Sequence, residues 1–128
     1  MNMNCFVIMP FSAQYDGIWK SVIEPTILNR RDICVRADNI FSTSPIIDDI
    51  INSINDADYI VADLSVQNPN VYYELGYAHA LQKKVILITQ DISLLPFDLK
   101  HQRVILYKDS ASGAQDLIKQ LNLFIDNL

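Results

Sequence analysis

The stretch Tyr59–Thr89, YIVADLSVQNPNVYYELGYAHALQKKVILIT, decides the fold. It opens on the apolar run Tyr59–Ala62 and closes on a second, Val85–Thr89. Short runs without a polar face read as strands buried on both sides, the pattern of a parallel sheet covered by helices. Between them Val71, Leu75, Ala78 and Leu81 recur at helical spacing, and Asn68-Pro69 stands where a helix begins. Strand, crossover helix and strand make a βαβ unit, whose right-handed crossover leaves few topologies open.

Working outward, Asn4–Met9 (NCFVIM), the shorter and more polar Ile33–Arg36, and Val104–Tyr107 (VILY) read as three further strands. A first helix, Tyr15–Asn29, carries Ile18, Val22, Ile23 and Ile27, with Pro25 expected to kink it or end its first half. A second spans Ser44–Asp56, where Ile46, Ile47, Ile50, Ile51 and Ile54 follow the helical period, with Ser44 as N-cap and Pro45 at the first helical position. The last puts Leu117, Ile118, Leu121, Phe124, Ile125 and Leu128 on one stripe. Gln90–Arg103 is weak in pattern, contains Pro96, and reads as a long loop with one turn of helix. This order predicts an α/β fold: a flavodoxin-like three-layer sandwich whose five-stranded parallel sheet, in the order 2-1-3-4-5, has helices on both faces. Without an internal repeat, linker or low-complexity segment, residues 1–128 are expected to form a single domain.

The chain has 128 residues, half of them hydrophobic and a fifth charged, so an ordinary globular core is within reach without metal or disulfide staples. Ten Lys and Arg against fifteen Asp and Glu give a net charge of −5. That balance argues against a nucleic-acid polymer as partner. No apolar run approaches the ~20 residues of a membrane span, and the N-terminus lacks a signal-peptide layout. A cytoplasmic protein that does not engage membranes is expected. Gly17, Gly76 and Gly113 are the only glycines, which excludes both the Walker A loop and the GxGxxG fingerprint. Cys5, Cys34, His79 and His101 stand at scattered spacings that assemble no zinc site, and no cofactor is expected. The two cysteines fall on strands that would be neighbours, where they are read as buried free thiols.

In an open parallel sheet, ligands bind beyond the carboxyl ends of the strands, near the point where strand order reverses. That rule selects Pro10, Phe11 and Ser12 after the first strand, Arg36 and Asp38 after the second, and Asp63, Ser65, Asn68 and Asn70 after the third. Asp98 belongs to the loop after the fourth. The densest cluster is DLSVQNPNVYYELGYAHA, Asp63–Ala80. Asp63 ends an apolar strand, and Glu74 lies one to two turns into the helix that Asn68-Pro69 caps. Gly76, Ala78 and Ala80 are read as letting that helix approach the sheet, bringing Glu74 and the neighbouring Tyr73 to the mouth of the crevice. Two carboxylates at one mouth suit a glycosidic bond: one attacks the sugar carbon or stabilises its charge, and the other helps the leaving group depart. Against this, a helical Glu is commonly a solvated charge, and Asp63 could simply cap its loop. Arg36 could meet a phosphate or pair with Asp38 or Asp63. Ser12 could bind a phosphate or ribose or be a plain turn residue, and Phe11 could stack on a base or cover the core edge. Asp98 could close the site or belong to a local turn. His79, about 140° around the helix from Glu74, should not share its face.

Taken together, CFVIMPFS, Tyr15, IEP, ADYIVADLS, NPNVYYELGYAHAL and LPFDL resemble the nucleoside 2-deoxyribosyltransferase-like superfamily, and within it a bacterial TIR-like or predicted nucleotide-binding branch. The resemblance covers roughly residues 4 to 107, and NPNVYYELGYAHAL is its most specific part. It implies that Glu74 is a nucleophile forming a covalent glycosyl-enzyme, and that Asp63 binds substrate or assists the leaving base. It further implies a nucleoside, nucleotide or NAD-like substrate, and either hydrolysis or transfer. Departures are the QNPN turn, where many transferases carry glycines and further acids, and the missing Ser and Trp-Cys signature of ordinary TIR domains.

Three readings compete. One is an enzyme that cleaves an N-glycosidic bond. Another is a non-catalytic nucleotide-binding or signalling module, of the kind found in TIR-like anti-phage defence. A phosphoacceptor receiver domain is disfavoured, because Met9-Pro10-Phe11 stands where an acidic pair would have to hold magnesium. A homo-oligomer is expected, with Tyr15, Trp19 and the tyrosines of the third helix available to line its interface.

Overall fold

The computed structural model describes residues 2–39, 45–99 and 101–128. Five strands, β1 (Asn4–Ile8), β2 (Ile33–Arg36), β3 (Tyr59–Asp63), β4 (Val85–Thr89) and β5 (Val104–Leu106), form one sheet in the order β2-β1-β3-β4-β5. Every neighbouring pair is parallel, with Cys5 opposite Cys34, Val7 opposite Val61 and Ala62 opposite Leu87. This is the expected flavodoxin-like arrangement.

Strand side chains alternate between the two faces, and the alternation divides the core in two. Cys5, Val7, Tyr59, Val61, Ile86, Ile88 and Ile105 face α1 (Ala13–Ile18), α2 (Glu24–Asn29) and α5 (Ala111–Asp126). Phe6, Ile8, Ile60, Ala62 and Leu87 face α3 (Ile46–Asp56) and α4 (Pro69–Ala80). Tyr15 and Trp19, candidates for an oligomer interface, are both buried in the first of these layers, so neither is available to a partner.

The helix around Pro25 resolves the expected conflict without a break. Proline has no N–H to offer the preceding turn, and the chain widens into a π-helical turn, Trp19–Ile23, before resuming as α2 with Pro25 in its first turn. Pro45 takes the N-cap position of α3 and Ile46 its first helical one, a residue later than expected; Ser44 lies outside the described residues. Only Ile50 and Ile54 of the α3 isoleucines are fully buried. The segment after β4 holds two short 3-10 turns, Ile92–Leu94 and Phe97–Leu99, where one was expected. No helix among the described residues is long and apolar enough to cross a membrane.

Candidate functional site

Because β1 is followed by β2 on one side and β3 by β4 on the other, the strand order reverses between β1 and β3. A cavity of about 520 Å³ opens at that point, beyond the carboxyl ends of the strands. Met9, Pro10 and Phe11 line it from the end of β1, Ile46, Ile47 and Ile50 from α3, and Asn68, Asn70, Val71, Tyr73 and Glu74 from the start of α4.

The sequence builds the α4 wall locally. Asn68 is extended, and its side-chain oxygen accepts from the backbone N–H of Asn70 at 2.9 Å and of Val71 at 3.2 Å, while Pro69 occupies the first turn. Val71, Leu75 and Ala78 then lock the helix onto the sheet, which fixes where Glu74 stands. Its side chain is half-buried, and desolvation pushes its carboxyl up to about 7. Among the described residues lining this cavity, Glu74 is the one acid.

Asp63 is not brought there. Strand parity sends it with Tyr59 and Val61 to the α1/α5 face, the side of the sheet opposite Glu74, and it is 0% exposed. Its Oδ1 accepts from the backbone N–H of Ser65 at 2.8 Å and its Oδ2 from the Tyr107 hydroxyl at 2.5 Å. Burial raises its pKa, and the hydrogen bonds from Ser65 and Tyr107 oppose the rise. Ser65 belongs to the same buried network: its Oγ accepts from the Gln90 N–H at 2.9 Å and shares a 3.3 Å hydrogen bond with Tyr107. The expectation of two carboxylates at one mouth is therefore corrected. Asp63 and Ser65 tie the carboxyl ends of β3, β4 and the chain after β5 together, below the loop that leads to α4.

Arg36 pairs with Asp38 and not with Asp63. Its Nε donates to Asp38 Oδ1 at 2.7 Å, its Nη2 donates to Asp38 Oδ2, and the same nitrogen lies 3.7 Å from Asp16. Arg36, Asp38 and Ser12 do not line the cavity. Ser12 is the exposed N-cap residue of α1, its carbonyl accepting from the Tyr15 N–H at 3.0 Å.

Asp98 lines a different cavity, of about 310 Å³, with Tyr72, Gly76, His79 and Pro96. His79 thus lies off the Glu74 wall, as its helical angle required. Gly76 corrects a second expectation. It is exposed, and a Cβ built on it meets nothing within 4 Å, so only Ala78 of the three small residues faces the sheet.

Sequence reasoning missed Ile46 and Ile47, which are 75% and 43% exposed at the cavity rim. The five α3 isoleucines spread over an arc wider than the part that holds the two buried ones, Ile50 and Ile54, and that breadth was the signal. With Phe11 and Tyr73, 57% and 61% exposed, they give the cavity a largely apolar margin. Among the described residues no three His, Cys, Asp or Glu side chains are grouped where a metal ion could be held.

No family model matches this chain, and no curated protein matches it in sequence. Solved structures do. A 2-deoxyribosyltransferase of Leishmania mexicana is similar over 91% of this chain and 97% of its own, with a TM-score of 0.68 at 17% identity. A CMP N-glycosidase of Clostridium botulinum matches over 94% and 98%, with a TM-score of 0.66 at 20% identity. The TIR domain of a Toll-related receptor of Hydra magnipapillata matches over 98% of each chain, with a TM-score of 0.76 at 12% identity. At these identities the likeness is one of fold, and it is the fold of the superfamily and TIR-like branch that the motifs resemble.

Proposed function

We propose that this protein cleaves the N-glycosidic bond of a nucleoside, nucleotide or NAD-like dinucleotide, with Glu74 as nucleophile. The observation that carries the reading is a half-buried carboxyl, pushed up to about 7, on the wall of a ligand-sized cavity where the strand order reverses. A desolvated carboxylate is a better nucleophile than a hydrated one, and near pH 7 a useful fraction remains ionised. Its oxygen attacks the anomeric carbon as the bond from that carbon to the base nitrogen breaks. The base leaves with the electron pair and takes a proton from solvent, or leaves neutral where it began as a pyridinium. Water, or a second base, then displaces Glu74 from the sugar and restores the carboxylate.

The apolar margin of Phe11, Ile46, Ile47 and Tyr73 suits a planar heterocycle, while Asn70 and Glu74 offer polar groups to a sugar. The fold shared with a deoxyribosyltransferase and a CMP N-glycosidase supports action on a nucleoside or nucleotide. Asp63 contributes at a distance, by holding the loop from which α4 departs.

The seclusion of Asp63 favours one alternative, a module that holds a nucleotide without chemistry, since a single acid then lines the cavity among the described residues. Incubation with NAD and a panel of nucleosides and nucleotides, followed by chromatography, separates the two. Release of free base by the wild type and its loss in Glu74→Gln support cleavage. Base release that persists in Glu74→Gln overturns the proposal, and tight binding with no product favours the module.

A further inference from the structure

We infer that Arg36 is a positioning residue that holds the ring of Phe11 as a fixed aromatic wall for the heterocyclic base of the substrate. The ligand in this statement rests on the nucleoside reading of the Glu74 cavity; the wall rests on geometry alone.

Phe11 follows β1 on a short loop, is 57% exposed and lines the cavity. An exposed loop phenylalanine ordinarily samples several rotamers, and ordering it on binding weakens the complex. Here the ring has an anchor. The Arg36 guanidinium carbon lies over the Phe11 ring at 5.3 Å from its centroid, and over the Trp19 ring at 4.9 Å. Trp19 is buried in the core layer that β2 shares with α1 and α2, and Arg36 itself is only 4% exposed. Asp38 fixes the orientation of the guanidinium through Nε and Nη2, with Asp16 beside it. A chain of contacts therefore runs from the rigid interior through one desolvated, planar cation to a ring at the mouth of the cavity.

A flat guanidinium covers aromatic faces in a way that a lysine ammonium does not, and the attraction is strongest where water is excluded. Arg36 does not line the cavity, so it acts through Phe11 and not on the ligand. Stacking reads the π-face that every base has, so this wall selects for a planar heterocycle without choosing among bases.

The test is equilibrium binding of cytidine 5′-monophosphate, adenosine 5′-monophosphate and ribose 5-phosphate to the full chain carrying Glu74→Gln, which prevents turnover. Phe11→Leu and Arg36→Met are each expected to weaken both nucleotides by about tenfold and to leave ribose 5-phosphate unaffected. In the Phe11→Leu background, Arg36→Met should add nothing. Arg36→Lys, which keeps the charge but not the plane, completes the same cycle should Arg36→Met not fold. Equal weakening of ribose 5-phosphate and the nucleotides by the arginine variant, or an undiminished effect of it in the Phe11→Leu background, overturns the inference. Ring mobility of selectively labelled Phe11, by NMR without ligand, is expected to rise in the arginine variants. If none of the three probes binds, the nucleoside reading fails and this measurement decides the wall: a ring as mobile in the wild type as in the variants overturns it.

Discussion

Tyr107 donates a 2.5 Å hydrogen bond to Asp63, and with the Ser65 N–H at 2.8 Å it occupies both oxygens of a carboxylate that has no exposed surface. The consequence is a division of labour between two acids that stand eleven positions apart in sequence and on opposite faces of the sheet. One braces the strand ends; the other faces the cavity.

Removing the brace should cost stability more than chemistry. Asp63→Ala leaves the Ser65 N–H and the Tyr107 hydroxyl without their acceptor in a buried setting, which costs about 2–3 kcal/mol. Asp63→Asn keeps an acceptor for Ser65 and should cost less. Urea unfolding measures the loss. Per folded molecule, base release by Asp63→Asn should stay far above that of Glu74→Gln; equal loss of activity in the two would return Asp63 to a direct role.

Glu74 makes both activity and stability depend on pH. Base release should rise with pH through about 7 as the carboxyl ionises, then level off, and Glu74→Gln should have no such limb. Stability moves the other way. The folded carboxyl titrates near 7 against an ordinary 4.5, so between these values the folded state holds the extra proton and stability falls as pH rises. By pH 8 the ionised carboxylate costs about 1–2 kcal/mol, less than the full shift because water reaches part of it. Glu74→Gln should therefore melt above the wild type at pH 8, with the gap narrowing toward pH 5.

Two glycines predict opposite outcomes of one substitution. Gly76 lies inside α4, where a Cβ meets nothing within 4 Å, so Gly76→Ala should stabilise by about 0.5–1 kcal/mol. At Gly113 in α5 a Cβ would fall 2.1 Å from the Lys108 carbonyl oxygen, and Gly113→Ala should destabilise by about 2 kcal/mol or more. Denaturant midpoints for the pair check both signs.

Cys5 and Cys34 face each other across β1 and β2. Burial pushes the Cys34 thiol up to about 12, and it raises that of Cys5 well above its ordinary value, with Cys34 adding to the rise. Since the thiolate is the reactive form, iodoacetamide at pH 8 should label the folded chain at least about a hundredfold more slowly than the urea-unfolded chain. Comparable rates would place these thiols in contact with solvent.

The sheet was legible because each strand announces itself as a short apolar run, and the bounds of β2 and β4 coincide with those read from the letters. Glu74 was legible too, through the Asn68-Pro69 start that fixes its helix. Asp63 was misplaced for want of parity: the end of a strand names the edge of a sheet, and only counting back through Ala62 and Val61 names the face. Gly76 was misread because small size fits equally well against a sheet or against open space. Nothing in the local pattern at Pro25 distinguishes a kink from a π-helical turn. The pairing of Arg36 with Phe11 and Trp19 joins a strand, a loop and a helical turn, and no spacing in the sequence records it.

The wide turn at Trp19–Ile23 has an effect well beyond accommodating a proline. It inserts the extra backbone needed to keep α2 seated on the sheet while the residues before it keep their own rotation. Wound as ordinary α-helix with every residue kept, the same segment would turn everything upstream by tens of degrees relative to Ile27. Both flanking helices would survive that rewinding, yet the indole would swing out from beneath the guanidinium that also covers the Phe11 ring.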